Sequence, residues 1–381
     1  MKEIKREFTL KSFSFPLKSQ RNLSYYKTLT KGFDLFEKKI EKISEENPIT
    51  LKIKQEIENI KINNSKILSI ISSYLLGNSG IAYEILVDLL EERFYKERIS
   101  KLIETNNSFS NSDSKLLRVR VSRNLISSRE EMFHIPFSKR HLVANQRFSI
   151  AGLPCLYLGS SIYVCWLELG RKDFGELWVT GYKAQNRFNI LNLAYDLNII
   201  IRQFEKNEIN SEQFVNYFML WPLVMACSFQ VKYPDAPFHE EYIIPSLLLQ
   251  WITYKNKDIV GLKYLSTKLE NYDNHSYGIN YVFPPIKITK EYDYCPKLSE
   301  MFKITNPLSW ELMSILPPAD VAVHGSGIKA ENLEEALLKN YDISRFGYIE
   351  EQVFSMDFEN IKNIKNTKVA NKGNTHKGYD I

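Results

Sequence analysis

Apolar residues in the first third of the chain recur at helical spacing. Within residues 22–104, Leu68, Ile71 and Leu75 fall on one face of a segment, and residues 81–89 repeat the pattern. Lysine and glutamate occupy the opposing positions. The pattern predicts a layer of helices.

Two breaks divide this helical region. Asn47 and Pro48 separate the first helix from the second, and residues 77–80 (GNSG) join two helices that we expect to pack together. The uncharged stretch 67–83 falls short of the ~20 apolar residues that cross a bilayer. We therefore expect no membrane association.

From residue 116 the pattern changes to short β-type runs that alternate with helical ones. The predicted strands cover residues 116–121, 154–158, 176–182, 189–193, 262–265 and 281–283. This alternation predicts an α+β or α/β fold, and we take α+β as the fold class.

Polar and low-complexity stretches suggest the domain limits. Residues 106–114 form a polar linker, so we predict an all-α N-terminal domain over residues 1–110 and a second domain over 111–356. A last helix is predicted at about 330–340. The Lys- and Asn-rich residues 357–381 have too few apolar side chains to fold alone, which predicts a disordered tail.

Composition narrows the function classes. The chain has 381 residues, 44% of them apolar, and a net charge of +5, with lysines spread among glutamates, so nucleic-acid binding is not indicated. The four cysteines lack CxxC pairs, which is typical of reduced core thiols. The charged N-terminus does not resemble a secretory signal, so we expect a cytoplasmic protein.

The richest chemistry lies between Arg147 and Glu168. Residues 153–158 read as a buried strand, and Ser160 and Ser161 can cap a following helix in which Glu168 lies two turns along. A carboxylate on a helix that packs against a strand is expected to be paired, hydrogen-bonded or used in function. An arginine and a carboxylate this close suggest an anionic, cleavable ligand.

These residues resemble the RES domain, a family named for an arginine, a glutamate and a serine. The resemblance comprises residues 147–149 (RFS), 152–154 (GLP), 156–158 (LYL), the small turn and Glu168, followed by 240–251, 261–266 (GLKYLS) and 280–283 (NYVF). It covers residues 116–305, about half of the chain, and leaves out the helical region.

The resemblance implies a fold and an activity. RES domains are similar to ADP-ribosyltransferases, with a mixed β core, and act on NAD as a substrate rather than a cofactor. Members phosphorolyse NAD to nicotinamide and ADP-ribose 1″-phosphate, so inorganic phosphate would be a co-substrate, or transfer ADP-ribose to a protein. Many are toxins of bacterial toxin-antitoxin pairs.

The resemblance also implies roles for particular residues. Arg147, Glu168 and Ser266 would be the catalytic, name-giving residues, and Tyr157 would line the same pocket. The family's early arginine matches Arg118 or Arg120, and strand alternation puts both on one face. No metal is implied.

The chemistry of these side chains fits cleavage of NAD. A guanidinium binds two phosphate oxygens at once, which suits a diphosphate. Nicotinamide is a good leaving group, so the reaction needs stabilisation of an oxocarbenium-like sugar, which Glu168 can supply. Ser266 can bond ribose or carboxamide, and Tyr157 offers a ring for stacking.

Alternatives stay open at this point. The nicotinamide-ribose bond could be cleaved by phosphorolysis, by hydrolysis or by transfer to a macromolecule, or the chain could be a non-catalytic interaction protein on a degenerate RES scaffold. The helical domain would regulate a toxin-type or defence enzyme, bind an antitoxin, or mediate formation of a homo-oligomer.

Four further motifs allow a structural interpretation as well as a functional one. His239, Glu240 and Glu241 lack the histidine spacing of a zinc site. Residues 324–327 (HGSG) are more typical of a turn than of a phosphate loop. Structural roles are favoured for Cys155 and Cys165, which could pair with His134 or His141 as nucleophiles. Residues 133–137 and 139–141 are candidates for the wall of a pocket entrance.

Overall fold

The computed structural model describes residues 2–9, 11–19, 22–106, 115–269, 275–286, 288, 291–315 and 337–361. The helices are α1 (Lys2–Phe8), α2 (Tyr25–Lys42), α3 (Pro48–Gln55), α4 (Ile57–Leu75), α5 (Ser79–Glu91), α6 (Arg93–Lys101), α7 (Ile162–Glu168), α8 (Leu197–Glu205), α9 (Ser211–Cys227), α10 (Ile243–Tyr254), α11 (Pro296–Met301), α12 (Trp310–Ile315) and α13 (Arg345–Ser355). The strands are β1 (Leu17–Lys18), β2 (Ile103–Thr105), β3 (Leu116–Val121), β4 (Leu156–Gly159), β5 (Leu177–Ala184), β6 (Asn189–Leu193), β7 (Phe229–Gln230), β8 (Ile259–Leu265), β9 (Ile279–Phe283), β10 (Phe302–Ile304), β11 (Leu308–Ser309) and β12 (Glu359–Asn360).

The helix limits in the N-terminal region follow local sequence signals. Asn47 caps α3 by accepting a hydrogen bond from the Ile49 N–H at 2.8 Å, and Pro48 takes the first helical position. Gly77 follows α4 with φ of +86°, the left-handed conformation that a glycine adopts without strain. The predicted breaks at residues 47–48 and 77–80 are confirmed.

The six predicted strands are all present, and the α+β class is confirmed. β3 and β6 have the predicted limits, β4 lies two residues later at its start, and β8 begins three residues earlier. The sequence patterns did not predict the short strands β1, β2, β7, β10, β11 and β12, and α13 was also missed. The predicted linker, last helix and tail lie largely outside the described residues.

The chain divides into two compact units, each with more contacts inside it than to the other. Unit 1 comprises residues 1–105, 145–150 and 189–280, and unit 2 comprises residues 106–144, 151–188 and 281–381. The division predicted from sequence, at residues 110 and 356, stays a prediction.

Unit 1 is built around α9, which is buried along most of its length because its residues are apolar nearly all round. α2, α3, α4, α6, α8 and α10 pack against it or against one another. Phe8, Phe36 and Phe218 meet with ring centroids 4.9–5.6 Å apart. Strands of a larger mixed sheet complete the unit, and in it β6 pairs antiparallel with β2 and parallel with β8.

Unit 2 is built around an antiparallel sheet with the order β12, β10, β5, β3, β4, and β11 pairs with the end of β5. α7 packs on β3 and β4, and α13 packs on β5 and α7. Gly159 permits this approach, because a Cβ there would lie 2.6 Å from Cys165 Sγ and 2.7 Å from Val164 Cγ1. The early arginines therefore lie on a central strand of this sheet.

Candidate functional site

Two arginines project from the central strand β3 of unit 2. Arg118 lies opposite Thr180 and Arg120 opposite Trp178 on β5. Both are half-buried and alternate with buried residues of the strand, because successive side chains of a strand point to opposite faces. The strand therefore holds two guanidinium groups on one face, as its alternation predicts.

Each guanidinium is held by a main-chain carbonyl. Arg118 Nη1 donates to the Tyr157 carbonyl oxygen at 2.7 Å, and Arg120 Nη2 donates to the Phe133 carbonyl oxygen at 2.7 Å. The Nε atoms of both side chains are buried and have no acceptor within the described residues. Each guanidinium thus keeps donors that the described residues leave unsatisfied.

The charge of these two groups is not balanced by an ion pair. Within the described part of the chain, no carboxylate oxygen lies within 4.0 Å of Arg118 or Arg120. Burial, and then the neighbouring Arg118 charge, lowers the pKa of Arg120 to about 10, and burial lowers the pKa of Arg118. Paired buried cations of this kind attract an anion.

Arg120 also lines a cavity of about 260 Å³ in unit 2. Its other lining residues are Val121, Ser122, Ile126, Glu130, Glu131, His134, Ile135, Pro136, Lys139, Leu142 and Tyr294. The segment proposed from sequence as a pocket wall, residues 133–141, supplies four of them. Of the two arginines that sequence could not separate, Arg120 is the one that faces this cavity.

His134 has a structural role in the cavity wall. Its Nε2 accepts from the Cys295 N–H at 2.8 Å, so its Nδ1 carries the proton and donates to the Ile135 carbonyl oxygen at 2.7 Å. Burial lowers the pKa of His134 to about 4, outweighing the Ile135 hydrogen bond. A neutral imidazole with both nitrogens engaged does not serve as a general base.

Tyr157 and Glu168 lie on β4 and α7 of unit 2. Tyr157 is half-buried, on the strand whose carbonyl holds Arg118. Ser161 caps α7, accepting from the Val164 N–H at 2.9 Å, as predicted. Glu168 is the last residue of the short helix α7 and is exposed.

Four of the candidate residues belong to unit 2, namely Arg118, Arg120, Tyr157 and Glu168. The charges of Arg118 and Glu168 both act on the Cys165 thiol, with opposite effects on its pKa.

A buried carboxylate that sequence reasoning missed holds the start of α7. Glu350 Oε1 accepts from the Ile162 N–H at 2.7 Å and from the Tyr341 hydroxyl at 2.6 Å. Burial raises the pKa of Glu350 to about 7, against the effect of these hydrogen bonds. No local pattern around Glu350 signals this role, because its partners are distant in sequence.

Arg147 lies in unit 1, where it is buried. Its Nη1 donates to the Cys227 carbonyl oxygen at 2.6 Å, and its Nη2 donates to the Phe229 carbonyl oxygen at 2.6 Å. Its guanidinium carbon also lies 5.3 Å from the Tyr242 ring centroid. These bonds tie the end of α9 to β7, which is a structural task that the sequence did not reveal.

Ser266 is also in unit 1, directly after β8. Its N–H donates to the Gly278 carbonyl oxygen at 2.8 Å, and its Oγ accepts from the Lys268 N–H at 3.2 Å. The next residue, Thr267, bonds Arg147 Nη2 through its Oγ1 at 3.2 Å. Unit 1 thus brings Arg147 and Ser266 to neighbouring positions through Thr267, which no sequence signal singled out.

The other motifs gain little from the structure. Burial raises the pKa of Cys155 and of Cys165 to about 12, which favours the structural interpretation of both thiols. Within the described residues, no three His, Cys, Asp or Glu side chains are grouped so that they could hold a metal ion. Residues 324–327 lie outside the described residues.

This chain is similar in sequence to a known protein. The chain is 34% identical over 265 residues to a protein of Bacillus subtilis (strain 168) named "Putative toxin YopC". The alignment covers 67% of this chain and 60% of that relative, so the chain spans less than two thirds of the relative's length. No protein-family profile and no solved structure matches the chain.

None of the described helices combines the length and the apolar character that are needed to cross a membrane.

Proposed function

We propose that this chain is a toxin-type enzyme of the RES kind that degrades NAD by cleaving its nicotinamide-ribose bond. The products would be nicotinamide with ADP-ribose 1″-phosphate when phosphate is the nucleophile, or nicotinamide with ADP-ribose when it is water. The relative named as a toxin supports the toxin part of the proposal. The paired guanidinium groups of unit 2 support the NAD part.

The unbalanced charge of Arg118 and Arg120 is the observation that carries the proposal. A purely structural arginine is expected to have its donors bonded to protein oxygens, as those of Arg147 are, since burying an unpaired charge destabilises the fold. Arg118 keeps its Nε and Nη2, and Arg120 its Nε and Nη1, without an acceptor in the described residues, and Arg120 is the one that faces a cavity. Guanidinium donors suit the phosphate oxygens of NAD.

The residues around this pair would supply the remaining chemistry. Glu168 would stabilise the positive charge that develops on the ribose as nicotinamide leaves, or hold the ribose hydroxyls. Its exposed position leaves it accessible to a ligand. Tyr157 would stack on a ring of the dinucleotide. Arg147 and Ser266 keep the catalytic roles that the family resemblance gives them as predictions.

Phosphorus NMR of NAD incubated with the pure protein, with and without inorganic phosphate, tests the proposal. Phosphorolysis would consume the phosphate signal and produce a phosphomonoester signal only in the tube with phosphate. Hydrolysis would give ADP-ribose in both tubes. Unchanged NAD in both tubes would overturn the proposal.

Two runner-up functions have distinct outcomes. A mono-ADP-ribosyltransferase would release nicotinamide only when an acceptor protein is added, and mass spectrometry would find ADP-ribose on that acceptor. A non-catalytic interaction protein would leave the cellular NAD pool unaltered after induction, whereas an active enzyme would drain the pool and arrest growth.

A further inference from the structure

Unit 1 contains a cavity of about 480 Å³ that the proposed function does not use. It is lined by two stretches of chain, residues 22–25 and 232–241. Its volume falls in the range that holds small ligands or a long side chain.

Two adjacent carboxylates line this cavity without a cation of their own. Glu241 is 5% exposed; its Oε1 accepts from the Lys232 N–H at 3.1 Å, and its Oε2 has no hydrogen-bond partner in the described residues. Glu240 Oε2 is buried and has no hydrogen-bond partner there either. No side-chain nitrogen of a Lys, Arg or His that the structure describes lies within 4.0 Å of either carboxylate.

The ammonium group in the cavity wall does not neutralise these carboxylates. Lys232 Nζ donates to the Leu23 carbonyl oxygen at 3.0 Å and lies 5.4 Å from the Tyr233 ring centroid. Tyr25 adds no charge, since its hydroxyl donates to the Ala226 carbonyl oxygen at 2.6 Å and burial raises its pKa. With His239 counted as neutral, two carboxylates against one ammonium leave the wall with an excess of one negative charge.

Aromatic rings stand at the mouth of the same cavity. Tyr233 is 64% exposed and Phe238 is 48% exposed, and the Phe238 ring stacks on Tyr74 with centroids 6.4 Å apart. An aromatic face attracts a cation through its quadrupole, and the buried, unpaired Glu240 Oε2 requires a donor. The walls therefore combine the two kinds of group that recognise an organic cation.

We propose that this cavity binds the ammonium or guanidinium group of a cationic ligand, with Glu240 and Glu241 as its hydrogen-bond acceptors and Tyr233 and Phe238 as its aromatic walls. The same group can belong to a free polyamine or to a lysine or arginine side chain of a partner polypeptide. This inference does not depend on the proposed cleavage of NAD.

Isothermal titration calorimetry on the full chain tests the proposal with two probes. One is spermidine, and the other is an acetylated, amidated peptide with three arginines separated by glycines, with its citrulline analogue as the neutral control. We expect saturable binding of at least one cationic probe and none of the citrulline peptide. Binding of spermidine alone would assign the site to a small polyamine, and binding of the arginine peptide alone would assign it to a polypeptide.

Three variants locate the binding. E240Q/E241Q removes both charges, while the amide oxygen introduced at position 241 can still accept from the Lys232 N–H, and this variant should weaken binding at least tenfold. E45Q/E46Q removes an adjacent, exposed pair of glutamates from the same unit and should leave binding unchanged. K232M removes the competing cation and should strengthen binding at least twofold.

Three results would overturn the proposed cation site. The proposal fails if neither probe binds at millimolar concentration, or if E240Q/E241Q binds as tightly as the natural chain while keeping its melting temperature. Weaker binding by K232M with an unchanged melting temperature would also overturn it, since that result means that the cavity favours anions.

Discussion

Replacing Arg120 by methionine tests whether this arginine binds a ligand or stabilises the fold. Methionine keeps the apolar stem of the side chain but removes the charge and the hydrogen bond to the Phe133 carbonyl. If the guanidinium closed a buried ion pair, its loss would cost about 3–5 kcal/mol of unfolding free energy.

The structure gives a different expectation for R120M. The lowering of the Arg120 pKa to about 10 corresponds to about 3 kcal/mol of destabilisation of the charged form, or about half of that after allowance for partial exposure. The lost hydrogen bond contributes about 1.5 kcal/mol in the opposite direction. The two effects cancel, so the unfolding free energy should stay within about 1 kcal/mol of the natural value.

Ligand binding should respond much more strongly. A charge-assisted hydrogen bond to phosphate is worth about 1.5–3 kcal/mol, which corresponds to roughly 10- to 150-fold in affinity. Urea denaturation measures the stability, and calorimetry with ADP-ribose, which keeps the diphosphate, measures the binding. R123M, which removes an exposed arginine from the same segment, is the control.

A loss of 3 kcal/mol or more in R120M would refute the reasoning, because Arg120 would then be holding the fold together. Unchanged affinity for ADP-ribose would refute it equally, because the unbalanced charge would not be serving the diphosphate.

Three further predictions concern α7 and its surroundings. E168Q should abolish NAD turnover while shifting the unfolding free energy by less than about 0.5 kcal/mol, since Glu168 is exposed. The matched control is E351Q, which changes an exposed glutamate on α13. A natural turnover rate in E168Q would remove Glu168 from the mechanism. S161A should lower the unfolding free energy by about 1 kcal/mol through loss of the α7 cap, and an unchanged urea midpoint would contradict this. Folding raises the pKa of Glu350 from 4.5 to about 7, so its contribution to stability is full below pH 4.5 and is lost as the pH rises to 7, by up to about 3 kcal/mol. Urea denaturation at several pH values in this window should show the unfolding free energy falling in the natural chain and changing less in E350Q. Parallel pH profiles of the two proteins would exclude Glu350 as the source.

The strands and most helices were predictable because their signals are local. β3 and β6 follow from runs of β-branched and apolar residues, and the limits of α3 follow from Asn47 and Pro48. β1 and β2 were missed because strands of two or three residues are too short to show a period. α13 was missed although its buried residues Phe346, Ile349 and Val353 recur at helical spacing.

The candidate site was predictable only as a set of residue types. Sequence singled out Arg118, Arg120 and Arg147 together, but it could not tell that the first two lack carboxylate partners whereas the third bonds three protein oxygens. Those differences depend on carbonyls and side chains brought in from elsewhere in the chain. The exposure of Glu168 depends on where α7 stops, which is the least certain part of any pattern.

The cysteines offer each unit a chemical reporter of its own. The thiols of Cys155 and Cys165 in unit 2 and of Cys227 in unit 1 have a pKa raised to about 12 by burial, so almost none of their thiolate exists at neutral pH. An alkylating reagent reacts with thiolate and therefore modifies these positions only after their surroundings have opened. The rate of labelling at each cysteine, measured by mass spectrometry, therefore reports how fast the surroundings of that cysteine open, without any engineered label.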